Sequence, residues 1–370
     1  MRLRHLHLPS IHPRYVPYSL ASRVQEHVRR QHLDFKDDPA ASGTQAAPPP
    51  TLISFTPHPI YTLGRRQTAP LSPGEIARLT APLQVRDGGS GGSGGSNDND
   101  NDNDHDHDPP ATLRPGLAYS LRGGLTTYHG PGQVVLWPVL DLRSPAHRRL
   151  TVRCYSRLLE DTTIAALRGA FGVRAFTTDD PGVWVRVRPE KGAVEEDGDG
   201  VGVGEVAKIA ALGVHLRRHV SALGTAVNVD FPGLEVTDEG RNPWARIVAC
   251  GLEGKTVASL AGLLPGGARE VGEKLAELAV ARTTSGRAPL YDGGGARSVG
   301  ARTARMVAGA WAEELARRLG LEGVDVVGTV ETMDLMDNLL ASVAIESDEG
   351  VEEGIEFLKG VRGVLSDQAR

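Results

Sequence analysis

A glycine-rich run in the first half of the chain combines a positive charge, a hydroxyl and a titratable ring. Residues 122–133 read RGGLTTYHGPGQ, and an apolar stretch at 134–142 follows directly. Glycine lets the backbone approach a ligand closely, so a glycine-rich turn that leads into a buried strand suits a binding loop. Arg122, Tyr128 and His129 supply its polar groups. Taken alone, the run also fits an ordinary tight loop.

A cysteine further along the chain has the surroundings of a nucleophile. Cys250 follows the apolar pair Ile247-Val248 and precedes Gly251. A strand would fix the thiol, and the glycine would leave room and backbone N–H groups for an oxyanion. The alternative is that Cys250 is a small buried core residue, and the neighbouring residues leave both interpretations open.

A single lysine interrupts the apolar segment at 206–213. Burying Lys208 on the inner face of a strand costs free energy unless the ammonium has a partner. A thiolate is such a partner, because a nearby lysine lowers the pKa of a thiol and can move its proton. The alternative is an edge-strand lysine that extends to solvent. His129 could instead pair with the cysteine or only orient its loop, and distance along the chain does not decide between these roles.

Length and composition exclude several classes of protein. The chain has 370 residues, a formal net charge of −5 and two cysteines. Basic residues are not clustered, which disfavours a nucleic-acid partner. The cysteines lack CxxC spacing, which disfavours a zinc finger or a disulfide scaffold. No apolar run reaches the roughly 18 residues that span a bilayer, so no membrane segment is predicted. With no interface signature in the sequence, we expect a monomer.

Hydrophobic periodicity predicts helices and strands without the regular alternation of a doubly wound sheet. We therefore expect one α/β domain with insertions. Helical patterns cover 17–32, 149–170, 271–278 and 307–319, and strand patterns cover 52–55, 60–63, 182–188, 206–216 and 225–230. Cys154, at the edge of the second helical pattern, is predicted to be a small core residue.

Three segments look like additions to that domain. A Gly/Ser and Asn/Asp tract at 88–110 is too polar to bury a core and is predicted to be disordered. Its two histidines could hold a metal loosely, but a solvated insertion is the favoured interpretation. An acidic, glycine-rich loop is expected at 190–204, and an acidic C-terminal extension at 321–370. The basic start at 1–9 fits a weak mitochondrial address or a first strand equally well.

Taken together, the motifs resemble the lipoyl(octanoyl) transferases, in order and in approximate spacing. The resemblance covers about 1–260 and returns at 302–320. It is carried by RGGLTTYHGPGQ at 122–133, VWV at 183–185, KIAALGVHLRR at 208–218, ALGTAVNVD at 222–230 and ACGLEG at 249–254. It implies a mixed-sheet α/β domain over 1–320, like the catalytic domain of biotin/lipoate protein ligases, in a fungal-type mitochondrial member.

The resemblance also implies a chemistry and its partners. Cys250 would take an octanoyl group from octanoyl-acyl carrier protein, and Lys208 would lower the pKa of the thiol and act as acid and base. The acceptors would be lysines of lipoyl domains in 2-oxoacid dehydrogenase complexes and of the glycine cleavage H protein. No cofactor and no metal are expected. The implied substrate-binding residues are Arg122, Gly123, Gly124, Leu125, Thr126, Thr127, Tyr128, His129, Ala211, Leu212, Gly213, Gly224, Thr225 and Ala226.

The chain departs from the common family pattern at two positions. Leu223 stands where many members have histidine, and Trp137 stands where tyrosine is frequent. An ATP-dependent lipoate or biotin ligase is the first alternative function; it would not need Cys250, whereas Lys208 does not discriminate because such ligases also use a lysine. A non-catalytic protein that binds acyl carriers or lipoyl domains is the second, and the presence of both residues disfavours it.

Overall fold

The computed structural model describes residues 1–38, 47–86, 110–187, 205–231, 234, 236–247, 256–284, 299–343 and 349–368. Two of the predicted insertions fall largely outside these ranges: residues 87–109, with His105 and His107, and residues 188–204. The segment 248–255, which contains Cys250, also lies outside them.

Strands and helices are mixed along the chain. The strands are β1 (Leu3–His7), β2 (Thr51–Phe55), β3 (Ile60–Leu63), β4 (Leu83–Val85), β5 (Ala111–Leu113), β6 (Gly116–Tyr119), β7 (Thr127–His129), β8 (Gln133–Val139), β9 (Ala175–Phe176), β10 (Val183–Val187), β11 (Glu205–Arg217), β12 (Val220–Asn228), β13 (Thr256–Val257) and β14 (Val324–Val326). The helices are α1 (Tyr18–Asp37), α2 (Pro73–Leu79), α3 (Val152–Phe171), α4 (Leu260–Leu263), α5 (Gly267–Thr284), α6 (Val299–Leu319), α7 (Thr329–Val343) and α8 (Glu349–Gln368), with a 3₁₀ turn at Pro243–Arg246.

The main sheet has the strand order β14-β1-β2-β8-β12-β11-β10-β9, and β13 pairs with β11. The strand β1 is parallel to β14 and to β2, and β13 is parallel to β11. The pairs β2–β8, β8–β12, β12–β11, β11–β10 and β10–β9 are antiparallel. This mixed sheet confirms the predicted α/β class.

Helices cover both faces of the main sheet because its inner strands are apolar on both sides. On one face, Leu159 of α3, Leu275 of α5 and Trp311 of α6 belong to a core that includes Leu136 of β8. On the other face, α1 packs against β8 and β12, and α7 and α8 pack against α1. We call this second side the α1 face.

A smaller sheet attaches the glycine-rich run to the domain. Its order is β6-β3-β7, and Tyr61 of β3 lies opposite Tyr128 of β7. Both rings are buried in an aromatic cluster with Phe231 and Trp244. The packing of these rings fixes β7, and with it the loop that precedes it.

The predicted C-terminal extension is folded onto the domain. Its strand β14 pairs with β1 at the edge of the main sheet, and its helices bury Met336, Phe357 and Leu358 in the core of the α1 face. At the other end of the chain, the basic start forms β1. No helix among the described residues is long and apolar enough to cross a membrane.

The prediction that Cys154 is a core residue is wrong, because its side chain is exposed. The buried stripe of α3 runs through Tyr155, Leu159 and Thr162. Cys154 lies in the first turn, where its backbone N–H donates to Thr151 Oγ1 at 3.1 Å. Successive helical residues are rotated by about 100°, so Cys154 points away from the stripe that contains Tyr155.

Candidate active site

A β-bulge decides which face of β11 carries Lys208. Trp184 lies opposite Lys208, but Val183 lies opposite Ala210, so Ile209 is one extra residue on β11. A bulge shifts the alternation of side chains by one position. Lys208 therefore shares a face with Ala211 and Gly213, although an odd spacing places residues on opposite faces of a regular strand.

The side chain of Lys208 is buried with partners of its own. It is 7% exposed, its Nζ donates to the carbonyl oxygen of Pro181 at 3.1 Å, and Nζ lies 4.5 Å from the ring centroid of Trp184. Gly182 borders this position, and a Cβ there would lie 3.5 Å from Nζ and 2.7 Å from the carbonyl oxygen of Ala210. A carbonyl and an aromatic face both stabilise an ammonium. The alternative of a lysine that reaches solvent does not fit this burial.

The strand β13, which begins six residues after Cys250, pairs beside Lys208. Thr256 and Val257 of β13 pair with Ala207 and Lys208, and the N–H of Ala258 donates to the carbonyl oxygen of Lys208 at 3.0 Å. Cys250 itself, and Gly251 with its expected oxyanion donors, lie outside the described residues. The structure therefore describes Lys208, one member of the predicted pair, and the strand that follows Cys250 in the sequence.

A cavity on the α1 face brings many of the predicted binding residues together. Its lining includes Arg122, Thr127, His129, Ala211, Leu212, Gly213, Gly224, Thr225 and Ala226. Four lining residues were not predicted: Tyr18 from α1, Val135 and Trp137 from β8, and Leu223 from β12. Trp137 and Leu223 stand at the two positions where the sequence departs from the family pattern.

Arg122 packs its stem against the cavity wall and turns its guanidinium to the backbone. The guanidinium donates to the carbonyl oxygen of Thr62 at 2.6 Å, to Thr62 Oγ1 at 2.9 Å and to the carbonyl oxygen of Gly123 at 3.0 Å. Its aliphatic carbons lie on Gly213, where a Cβ would come within 2.8 Å of Arg122 Cδ. The absence of a side chain at position 213 therefore makes room for the arginine.

The remaining residues of the glycine-rich run shape the loop rather than line the cavity. The N–H of Arg65 donates to the carbonyl oxygen of Arg122 at 3.0 Å, and that of Arg66 donates to Gly124 at 3.1 Å. Tyr128 is buried in the aromatic cluster, and burial raises the pKa of its hydroxyl well above the usual value. Gly123, Gly124, Leu125, Thr126 and Tyr128 are absent from the lining that the described residues form.

His129 is a neutral side chain at the cavity wall. It is 9% exposed, its ring stacks on Tyr18 with centroids 6.4 Å apart, and its Nδ1 lies 2.8 Å from Gln133 Oε1. The pKa of His129 is lowered to about 4, chiefly by burial and also by the charge of Arg122, while the bond to Gln133 opposes both. The imidazole can therefore accept or donate a hydrogen bond here without carrying charge.

The described part of this arrangement places a buried lysine on the same strand face as a cavity wall, beside the strand that follows Cys250 in the sequence. Among the described residues, no group of three His, Cys, Asp or Glu side chains could hold a metal ion. The model of the lipoyl protein ligase A/B catalytic domain matches residues 95–277. The matched residues include Lys208 and all of the cavity lining except Tyr18.

Two named relatives identify the family of the chain. The chain is 31% identical over 245 residues to the probable octanoyltransferase of Schizosaccharomyces pombe, covering 66% of this chain and 80% of that protein. It is also 31% identical over 251 residues to the mitochondrial octanoyl-[acyl-carrier-protein]:protein N-octanoyltransferase of Danio rerio, covering 68% and 80%. The chain therefore belongs to the octanoyltransferase family of acyltransferases.

Solved structures give a more distant similarity. The bi-partite lipoate protein ligase of Thermoplasma acidophilum aligns over 95% of this chain and 96% of that one, at 13% identity and a TM-score of 0.45. A similarity at that level assigns neither substrate nor chemistry.

Proposed function

We propose that this protein transfers an octanoyl group from an acyl carrier protein to a lysine of lipoyl-bearing proteins, through a thioester on Cys250. The observation that carries the proposal is the pairing of β13, which begins six residues after Cys250, with Ala207 and Lys208, together with the bond from the N–H of Ala258 to the carbonyl oxygen of Lys208. Membership of the octanoyltransferase family supports the choice of acyl group, and the cavity on the α1 face offers a place for the donor.

The reaction proceeds in two exchanges at one sulfur. The Lys208 ammonium stabilises the Cys250 thiolate, which attacks the carbonyl carbon of the octanoyl thioester; the carrier's thiolate leaves and takes a proton from Lys208. The amine of the acceptor lysine then attacks the Cys250 thioester and gives a proton back to Lys208 as the amide forms. The Cys250 thiolate is released, so the enzyme returns to its starting state. Because a thioester is already activated, no ATP is consumed.

The partners and the location follow from the same proposal. The acceptors are lipoyl domains of 2-oxoacid dehydrogenase complexes and the glycine cleavage H protein, and the enzyme acts in mitochondria as a monomer. The basic residues at the start of the chain and the mitochondrial name of the zebrafish relative support the location. The ATP-dependent ligase remains the alternative that an experiment must separate from this one.

Intact-mass spectrometry with octanoyl-acyl carrier protein and without ATP tests the proposal. We expect a hydroxylamine-labile octanoyl adduct on the wild type and on the Cys154→Ser variant, and none on Cys250→Ser. Cys154 is the matched control because its thiol is exposed and removed from the cavity lining. Modification of a lipoyl domain only after addition of ATP and free octanoate, with no adduct, would assign the protein to the ligases instead.

A further inference from the structure

A chain of buried side-chain amides connects His129 to the backbone of the Lys208 strand. Gln133 Oε1 lies 2.8 Å from His129 Nδ1, and Gln133 Nε2 donates to Asn228 Oδ1 at 2.8 Å. Asn228 Nδ2 donates to the carbonyl oxygens of Lys208 at 3.3 Å and Ala258 at 3.0 Å. Gln133 is 1% exposed and Asn228 is 3% exposed. This series of hydrogen bonds thus crosses from β7 through β8 and β12 to β11 inside the protein.

The donor and acceptor of every hydrogen bond in this series of side-chain amides are fixed by the backbone carbonyl groups of Lys208 and Ala258 at one end of it. Carbonyl oxygens only accept hydrogen bonds, so the NH₂ group of Asn228 must face Lys208 and Ala258. Asn228 Oδ1 then accepts from the NH₂ group of Gln133, which leaves Gln133 Oε1 as an acceptor. His129 must therefore carry its proton on Nδ1, and its Nε2 holds a free lone pair.

The lone pair of His129 is available to a ligand. His129 lines the cavity, and no other described residue makes a hydrogen bond to its Nε2. The pKa of about 4, caused by burial and by the charge of Arg122, keeps the ring neutral across the physiological range. A ring held in this state can accept a hydrogen bond and is too weak a base to take a proton from an ammonium.

We propose that Gln133, anchored by Asn228, is a positioning residue that fixes the Nδ1–H tautomer of His129, so that Nε2 accepts a hydrogen bond from an amide N–H of the thioester arm of the acyl donor. The octanoyl chain has no donor group, so the bond must be made by the arm that carries it. The positive charge of Arg122 disfavours an ammonium at this place, whereas a neutral amide is unaffected. This inference rests on the proposed octanoyl transfer for the identity of the donor.

The tautomer can be measured without any reaction. In ¹⁵N-histidine-labelled protein, we expect the His129 signal, assigned by its loss in His129→Asn, to report a protonated Nδ1 and an unprotonated Nε2. Gln133→Leu removes the acceptor and is expected to move the ring to the Nε2–H form. Gln133→Glu keeps an acceptor oxygen and is expected to keep the Nδ1–H form while raising the pKa of His129. An Nε2–H ring in the wild type, or an unchanged tautomer in Gln133→Leu, would overturn the proposal.

A surface pair provides the matched control. His27 and Gln31 on α1 have the same four-residue spacing, and Gln31 Nε2 lies 3.1 Å from His27 Nε2. Gln31→Leu makes the same chemical change away from the cavity. We expect it to leave the His129 signal and the transfer rates as in the wild type.

Two small thioesters test the contact with the donor. Octanoyl-N-acetylcysteamine carries one amide N–H, whereas S-ethyl octanethioate carries none. We expect Gln133→Leu to lower kcat/KM for the first about fivefold to tenfold, the loss typical of one neutral hydrogen bond, and to leave the second unchanged. Equal losses of kcat/KM for the two thioesters would overturn the proposed contact between His129 and the amide N–H of the donor. Failure of octanoyl transfer itself would instead appear as no Cys250 adduct, with the tautomer result still decided by NMR.

Discussion

At the scale of single residues, the charge on Lys208 is the feature that a substitution can remove with least disturbance. Lys208→Met keeps an unbranched side chain over Trp184 but loses the ammonium, so we expect acyl-enzyme formation to slow by about 10²-fold or more. Lys208→Arg keeps a charge that does not transfer a proton at neutral pH, so it is expected to recover thiolate formation but not the transfer to lysine. Rapid-quench mass spectrometry measures both steps.

The exposed Lys359 on α8 provides the control, since its ammonium pairs with Glu356 at the surface. Lys359→Met should leave both rates within a factor of two. A Lys208→Met enzyme that acylates at nearly the wild-type rate would remove Lys208 from the mechanism.

Gly224 on the cavity wall is a second residue whose effect can be calculated from geometry. A Cβ there would overlap the carbonyl oxygen of Leu136 and lie 2.8 Å from Pro138 Cδ. Both atoms belong to β8, which cannot move without breaking its sheet, so Gly224→Ala should lower the free energy of unfolding by about 1–3 kcal/mol. At Gly272 inside α5, nothing lies within 4 Å. Gly272→Ala should instead raise the free energy of unfolding by about 0.5–1 kcal/mol in urea titrations. If Gly224→Ala were the more stable of the two variants, the packing described here would be contradicted.

At the scale of elements, hydrophobic periodicity predicts where helices and strands lie, but the sequence does not predict the register in which the strands pair. The helical pattern at 17–32 corresponds to α1, and the strand patterns at 52–55 and 60–63 correspond to β2 and β3. The bulge at Ile209 has no signature in the residues themselves, because an extra residue is defined only by the register with β10. Counting by twos from Lys208 therefore assigns Ala211 and Gly213 to the wrong face.

In the candidate site, too, some residues could be predicted from the sequence and others could not. The motif residues on the cavity wall could be named beforehand, because the resemblance to the lipoyl(octanoyl) transferases implies a binding role for them. Tyr18 and Trp137 could not, since an ordinary aromatic residue in a helix or strand becomes part of a cavity only through the packing of α1 on β8. The hydrogen-bond chain from His129 to Asn228 also joins residues 99 positions apart, and only the sheet brings them together.

The C-terminal helices should behave as part of the domain and not as an appendage. Phe357 of α8 is 6% exposed in the core of the α1 face, so Phe357→Ala should destabilise the protein by about 3–5 kcal/mol. Val330 of α7 is 67% exposed, and Val330→Ala should change the free energy of unfolding by no more than about 0.5 kcal/mol. Equal, small effects in chemical denaturation would mean that the tail contributes little to the fold.

At the scale of the whole molecule, the burial of neutral histidines makes the free energy of unfolding depend on pH. Burial lowers the pKa of His5 to about 3 and those of His32 and His129 to about 4, and it lowers that of His7 well below the ordinary value. His5 and His7 flank Ser54 between β1 and β2, each with a ring nitrogen 2.8 Å from Ser54 Oγ. The rings lie at three separate places, His5 and His7 together at Ser54, His32 on α1 and His129 at the cavity wall, so their protonation affects the stability of the whole domain.

The sign of this effect follows from the direction of the shifts. Between pH 6.5 and about pH 4, the unfolded chain binds protons that the folded protein excludes, so the free energy of unfolding must fall as the pH falls. Each such histidine contributes a slope of up to about 1.4 kcal/mol per pH unit. In urea titrations between pH 7.5 and pH 5, we expect His32→Asn to reduce the total slope near pH 5 by about that amount. A stability that stays constant down to pH 5 would contradict the burial of these rings.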